Sequence, residues 1–210
     1  MKRTRVKICG FTSAKQAAFA AHAGADAIGL VFYPPSPRHI SISKAQEIVA
    51  ALPPFTTVVA LFVDATEEQI RKVLEQVPID LLQFHGDEPA NQCRLYAKPY
   101  IKAIRMQSDT DILALTTEYH DAAGLLLDAY HAQTKGGTGE QFDWDLIPAE
   151  SALPIILAGG LATHNAGEAI NRVKPYALDV SSGVEIAKGI KDNNKIAEFL
   201  TEVYQSDRHN

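Results

Sequence analysis

The sequence predicts an α/β chain folded as a single-domain (β/α)8 TIM barrel over residues 1–210, with a phosphate site on its C-terminal face; three observations carry that reading. Eight short β-rich runs begin roughly every 20 to 30 residues, a spacing that leaves room for a helix and two loops between strands. Helix-like patterns occupy several of those intervals. Reactive residues collect at the ends of the runs, where barrels of this kind carry their sites.

In chain order, the first run is RVKIC, residues 5–9, followed by SAKQAAFAAHAG, an alanine-rich helix pattern that Gly24 ends. AIGLVF follows from Ala27, and then SKAQEIVAAL, which stops before Pro53. TTVVALFV starts near Thr56 and gives way to TEEQIRKVLEQV, whose opening Thr66 suits a helix N-cap. LLQFH from Leu81, YIKAIRM from Tyr100, GLLLDAY from Gly124, PIILAGG from Pro154 and ALDVSSG from Ala177 complete the strands. NKIAEFLTEVY closes the pattern as a final helix, whereas the segments after the fourth and sixth runs read as weak helices. An open doubly wound sheet fits less well. It usually has fewer strands, and a dinucleotide-binding one carries GxGxxG after its first strand, which the residues after Cys9 lack. GGTGE, from Gly136, lacks the terminal GK[ST] of a Walker loop.

Composition narrows the function. With 46% hydrophobic and 21% charged residues, 210 residues bury one large core, and nothing suggests disorder. A formal net charge of -5 and a pI near 5.8 argue against a general nucleic-acid or anionic-membrane binder. The two cysteines, Cys9 and Cys93, form no CxxC pair, so neither a disulfide framework nor a structural zinc site is indicated, and a reducing cytoplasm fits. The basic start MKRTRVKIC is followed by a stretch broken by Lys15, Gln16, His22 and Asp26, so no signal-peptide core forms. No apolar run approaches the roughly 20 residues of a membrane span. The partner expected is a small molecule; monomer and homodimer are both compatible with the sequence.

At the run ends stand Cys9, His85, Asp128, Gly159-Gly160 and Ser181-Ser182-Gly183. Taken alone, Cys9 also reads as a small buried apolar residue. Lys7, two residues earlier on the same strand face, changes that: a nearby cation favours thiolate, bringing a group with an ordinary pKa of about 8.5 toward use as a base. Buried, Lys7 needs a partner, and Asp179 on the neighbouring eighth strand is the best placed. Asp128 ends a run, LLL, that is expected to be buried on both faces. It either caps the next turn or faces Cys9 across the mouth, as an acid and a base acting on opposite sides of one substrate do.

LAGGL and VSSGVE, after strands 7 and 8, suit a phosphate, because glycines admit backbone N–H groups and serine adds a hydroxyl; a tight turn is the alternative for Gly-Gly alone. Arg38, in SPR after the second strand, either holds a substrate carboxylate or lies solvated on the surface. His85 positions substrate or is a structural histidine bonded to backbone. No ligand spacing supports a metal, and no cofactor motif is present.

VKICGFT, SPR, QFHGDE, LLLDA, GGTGEQFDW, LAGGL and DVSSGVE, in this order from Lys7 to Glu185, together resemble the phosphoribosylanthranilate isomerases of tryptophan biosynthesis. The resemblance implies an Amadori rearrangement of N-(5-phospho-β-D-ribosyl)anthranilate to 1-(2-carboxyphenylamino)-1-deoxy-D-ribulose 5-phosphate. It further implies that Cys9 is the general base, Asp128 the general acid, and Arg38 the ligand of the anthranilate end. One departure is Lys188, in EIAKGIKD, where the family often has proline before Gly. Two alternatives stand beside this reading. Indole-glycerol-phosphate synthase shares the phosphate barrel but relies on lysine and glutamate chemistry, and a silent sugar-phosphate-binding barrel would need neither Cys9 nor Asp128.

Overall fold

Strands buried on both faces need near-continuous apolar runs, and those runs become a closed parallel barrel. The computed structural model describes residues 3–129 and 142–208. Its strands are β1 (Arg5–Cys9), β2 (Ala27–Val31), β3 (Thr57–Phe62), β4 (Leu81–Phe84), β5 (Tyr100–Met106), β6 (Gly124–Ala129), β7 (Ile155–Leu157) and β8 (Ala177–Val180). They are hydrogen-bonded in sequence order, and β8 closes the ring on β1. The closing register sets Lys7 opposite Asp179.

Alternation along each strand divides the side chains between two cores. Val6 and Ile8 point outward and pack with Ile28, Leu82, Leu125 and Leu178 beneath the helices. Ile101, Ala103, Leu126, Ile156, Ala158 and Ala177 fill the barrel interior. Above them Cys9, Val31, Leu61 and Val63 form a small apolar cluster at the C-terminal end. Polar groups at that end therefore stand on an apolar floor, where unpaired charge is costly.

The outer helices are α1 (Ala14–His22), α2 (Ile42–Ala50), α3 (Glu67–Gln76), α4 (Ala90–Cys93), α5 (Ile112–Glu118), α6 (Thr163–Val173) and α7 (Asn193–Arg208). Thr66 caps α3 in a reciprocal box with Gln69. After β4 there is only the four-residue α4 and a 3-10 turn, Arg94–Tyr96, and the described part of the segment after β6 holds a 3-10 turn, Trp144–Leu146. Two helices lacked a sequence signal. α5 carries adjacent threonines, poor helix formers, but Asp111 accepts from the Ala114 N–H to cap it. α6 contains Asn and Gly and holds together because Ala166, Ala169 and Ile170 are buried, with α7 as its main neighbour. α7 also runs four residues past the predicted end.

Beyond β8 the chain forms a hairpin absent from the sequence reading, β9 (Glu185–Ala187) and β10 (Ile190–Lys191). Lys188 and Gly189 make its turn, with Gly189 at φ +81°. A Cβ there would stand 2.9 Å from the Pro37 carbonyl, so the hairpin lies directly on the SPR loop. Thr12 Oγ1 adds a 2.6 Å hydrogen bond to the Gly189 carbonyl. Among the described residues no helix is long and apolar enough to cross a membrane.

Candidate active site

Two glycines make the seat of Cys9. On β2, Gly29 faces the thiol so closely that a Cβ there would lie 2.6 Å from Sγ. Gly10, at φ +84°, turns the chain out of β1, and a Cβ on it would meet the Arg38 Cδ at 2.4 Å. The glycine after the cysteine is thus required twice, once by conformation and once by the arginine arm beside it.

Below Cys9, Lys7 Nζ donates to Asp179 Oδ2 at 2.8 Å, and both side chains are buried. Burial works against the Lys7 ammonium, but Asp179 and Cys9 outweigh it and hold its pKa above that of ordinary lysine. Lys7 acts on Cys9 in the expected direction, favouring the thiolate, but it does not overcome burial. Burial pushes the Cys9 thiol up, Lys7 and Lys191 offset this only in part, and Asp179 adds to the rise.

Asp128 and His85 meet at the mouth. Asp128 Oδ1 accepts from the Ala129 N–H at 2.9 Å, and Oδ2 lies 3.2 Å from His85 Nε2, which has no aligned hydrogen bond. His85 sits one residue beyond the end of β4 and is held by a side chain rather than by backbone: Gln83 Nε2 donates to its Nδ1 at 2.9 Å. His85 Nε2 is thereby turned to the Asp128 carboxyl.

Arg38 is not a solvated surface arginine. It is 7% exposed, and its Nε and Nη2 donate to Glu185 Oε1 and Oε2, each at 2.8 Å. Lys191 Nζ reaches the same carboxylate at 2.9 Å, and burial alone would raise the Glu185 pKa, but Arg38 and Lys191 hold it below the usual carboxylate value. One edge of the guanidinium fork is therefore taken. A substrate carboxylate would approach through the Nη1 side.

Of the residues expected to hold phosphate, Gly159, Gly160, Ser181 and Ser182 line the pocket together with Cys9, Asp128 and Arg38. Gly159 and Gly160 take φ +79° and +65°, in the left-handed region. Asn165 fixes their loop, accepting from the Ala162 N–H and donating to the Gly160 carbonyl, both at 2.9 Å. Two expectations shift. The Ser181 hydroxyl donates to the Cys9 carbonyl at 2.9 Å, so its one proton is committed within the protein. Gly183 is not in the pocket wall: a Cβ on it would lie 2.0 Å from the Leu161 carbonyl, so this glycine lets the β7 and β8 loops touch. Sequence reasoning missed Gly29, Gln83, Asn165, Glu185 and Lys191 as parts of the site; a glycine inside a strand and a glutamine two residues before His85 were the available signals. GGTGE and Tyr130 lie outside the described residues.

A thiol on β1 and a carboxyl on β6 open into one polar pocket at the C-terminal end of an eight-stranded barrel, the end at which barrel enzymes carry their sites. Comparison with known proteins gives the family. A family model described as N-(5'phosphoribosyl)anthranilate (PRA) isomerase matches residues 6–202, and the chain belongs to that family. The N-(5'-phosphoribosyl)anthranilate isomerase of Pseudomonas paraeruginosa is 54% identical over 203 residues, covering 97% of this chain and 96% of that one. The isomerase of Neisseria gonorrhoeae is 54% identical over 200 residues, covering 95% and 96%. The crystal structure of phosphoribosyl anthranilate isomerase from Thermotoga maritima superposes with a TM-score of 0.88 at 38% identity, over 96% of this chain and 99% of that one. A phosphoribosyl anthranilate isomerase solved with reduced 1-(o-carboxyphenylamino)-1-deoxyribulose 5-phosphate gives 0.85 at 38% identity, with the same coverage. The chain is accordingly an isomerase of tryptophan biosynthesis.

The raised Cys9 thiol gives the first prediction. In a Cys93→Ser protein, iodoacetamide alkylation of Cys9 should titrate at higher pH than a short unstructured cysteine peptide. Cys93 is fully buried with its pKa pushed up to about 12, so removing it costs no reactive thiol. A midpoint at or below that of the peptide would mean that Lys7 and Lys191 outweigh burial.

Proposed function

We propose that Cys9 and Asp128 are the base and acid of the Amadori rearrangement of N-(5-phospho-β-D-ribosyl)anthranilate. Asp128 Oδ2 gives its proton to the furanose ring oxygen. The C1–O bond breaks as the anthranilate nitrogen lone pair forms the C1=N iminium, leaving a hydroxyl on C4. Cys9, as thiolate, then removes the C2 proton, and those electrons form C1=C2 while the iminium π pair returns to nitrogen. The enolamine moves its hydroxyl proton away and takes one at C1, giving the 2-ketone. No electron leaves the substrate at any stage.

The observation that carries this reading is that the Cys9 and Asp128 side chains line one pocket with the Gly159-Gly160 loop and Ser182, so two proton-transfer groups and a candidate phosphate cradle share one mouth. In this reading the phosphate takes backbone N–H groups of Gly159, Gly160 and Ser182 and the Ser182 hydroxyl. Ser181 supports the loop, and Arg38 reads the anthranilate carboxylate through the edge that Glu185 leaves. His85, held by Gln83, keeps Asp128 turned to the mouth. The direct experiment is turnover of freshly made phosphoribosylanthranilate, followed by loss of anthranilate fluorescence; a chain that binds the product analogue without turnover would be the silent barrel instead.

Cys9→Ala should lower kcat by roughly 10²- to 10⁴-fold with little change in binding, the range for loss of a general base. Cys93→Ser should keep turnover. A near-normal kcat in Cys9→Ala, or an equal loss in Cys93→Ser, would remove Cys9 from this role.

Asp128→Asn keeps the shape and cannot donate the acid proton, so kcat should fall by a similar factor of about 10² or more while a product analogue still binds. Affinity lost in step with rate would make Asp128 a binding or folding residue.

Arg38→Met should raise KM more than it lowers kcat, because a carboxylate contact present in ground and transition states alike is uniform binding. Arg38→Lys should rescue poorly, since an ammonium cannot replace a planar fork that also holds Glu185. Product analogues with and without the carboxylate separate the two duties. Equal loss of affinity for both would show that Arg38 serves Glu185 and the loop rather than the substrate.

A further inference from the structure

The most deeply buried charge in the described structure belongs to Lys191, 1% exposed, on a hairpin strand that contributes nothing to the pocket wall. Its Nζ donates to the Ser181 carbonyl at 3.0 Å, the Ser181 hydroxyl at 3.2 Å and Glu185 Oε1 at 2.9 Å. Three donations are the full capacity of an ammonium and one more than a neutral amine has, so the geometry is that of the cation. It lies 5.8 Å over the Phe11 ring, a second feature that favours positive charge. The Ser181 hydroxyl that accepts from Lys191 passes its own proton to the Cys9 carbonyl. Lys191 thus stands two hydrogen bonds behind the residue that bears the thiol.

Charges around Cys9 come from every neighbouring element. Lys7 on β1 and Asp179 on β8 are paired and act on the thiol in opposite senses, Lys7 the more strongly. Asp128 on β6 faces His85 after β4, and Tyr33 stands at the rim. The remaining charges are Arg38 in the β2 loop, Glu185 on β9 and Lys191 on β10, and here two cations share one carboxylate.

We infer that Lys191 is a positioning residue that tunes the charge of the Cys9 environment: with Arg38 and Glu185 it forms a buried triad of net positive charge that favours the thiolate form of Cys9. The Lys7–Asp179 pair fixes the strand, and the triad adds its charge to that of Lys7. Removing Lys191 leaves Arg38 and Glu185 as a neutral pair and withdraws support from the thiolate. Removing the Glu185 charge does the reverse. Burial lowers the Lys191 pKa, and Glu185 and Cys9 work against that fall; Lys191 in turn favours the thiolate of Cys9, so each supports the charged form of the other.

This inference rests on the reading of Cys9 as the base, but alkylation reports the thiolate whether or not turnover uses it. In the Cys93→Ser background, Lys191→Met should slow iodoacetamide alkylation of Cys9 at fixed pH about tenfold, the effect of a one-unit pKa rise from a lost nearby charge. Glu185→Gln should speed it. Lys191→Arg should stay near the parent. Opposite shifts in the first two variants are the signature of charge, because a disturbed hairpin would move both the same way. An unchanged rate in folded Lys191→Met, or a slower one in Glu185→Gln, overturns the proposal, and if Lys191→Met does not fold the Glu185→Gln arm decides alone. Should Cys9→Ala keep its turnover, the role of the base falls, while the alkylation shifts still test the triad.

Discussion

Closing the ring places Lys7 level with Asp179, and the 2.8 Å ion pair across that seam is the contact on which the mouth depends. Both partners are buried, so each is tolerable only with the other; breaking such a pair typically costs roughly 3 to 5 kcal/mol, because one charge is stranded. The pair binds the first strand to the last just below the residue that ends β1. It fixes Cys9 in height and direction while adding no net charge.

The Arg38–Glu185 contact extends the same economy to the substrate side. A free arginine at a pocket rim loses rotamer freedom when it captures an anion, whereas one held by two 2.8 Å bonds to a buried carboxylate has been fixed in advance. Glu185 sits on the hairpin, and Lys191 holds Glu185 in turn. The Gly10 and Gly189 close approaches then explain why the β1 exit, the SPR loop and the hairpin pack as one piece. Sequence positions 147 residues apart become adjacent donors and acceptors.

The barrel was legible because each strand is a short apolar run with a punctuating turn, and because polar residues recur at the same end of those runs. Asp179 as the partner of Lys7 followed from ring closure alone. What escaped was whatever depends on pairing outside the ladder. Lys191 looks like any surface lysine until the hairpin folds it inward, and Glu185 looks like a solvated helix-start acid until Arg38 reaches it. Ser181 shows the limit from the other side: a serine in a glycine-rich loop has the chemistry of a phosphate donor, but its proton goes to the Cys9 carbonyl. α5 and α6 were obscured for a simpler reason, since Thr, Asn and Gly lower helix propensity that capping and packing restore.

A resting thiol raised by burial is a strange base only if the enzyme is considered without its intermediate. In the proposed reaction ring opening creates an iminium, a cation one bond from the carbon whose proton is to be removed. That charge would arise beside apolar Val31, Leu61 and Val63, where it acts on Cys9 with less screening than in bulk water. The thiolate is then favoured when it is needed and disfavoured in the empty site, where it would be open to oxidation. On this view the triad at Arg38, Glu185 and Lys191 has only to bring the thiol within reach of the intermediate's own charge. Asp179, paired with Lys7 at 2.8 Å, offsets part of what Lys7 does for the thiolate, and burial does the rest in keeping the empty site's Cys9 protonated.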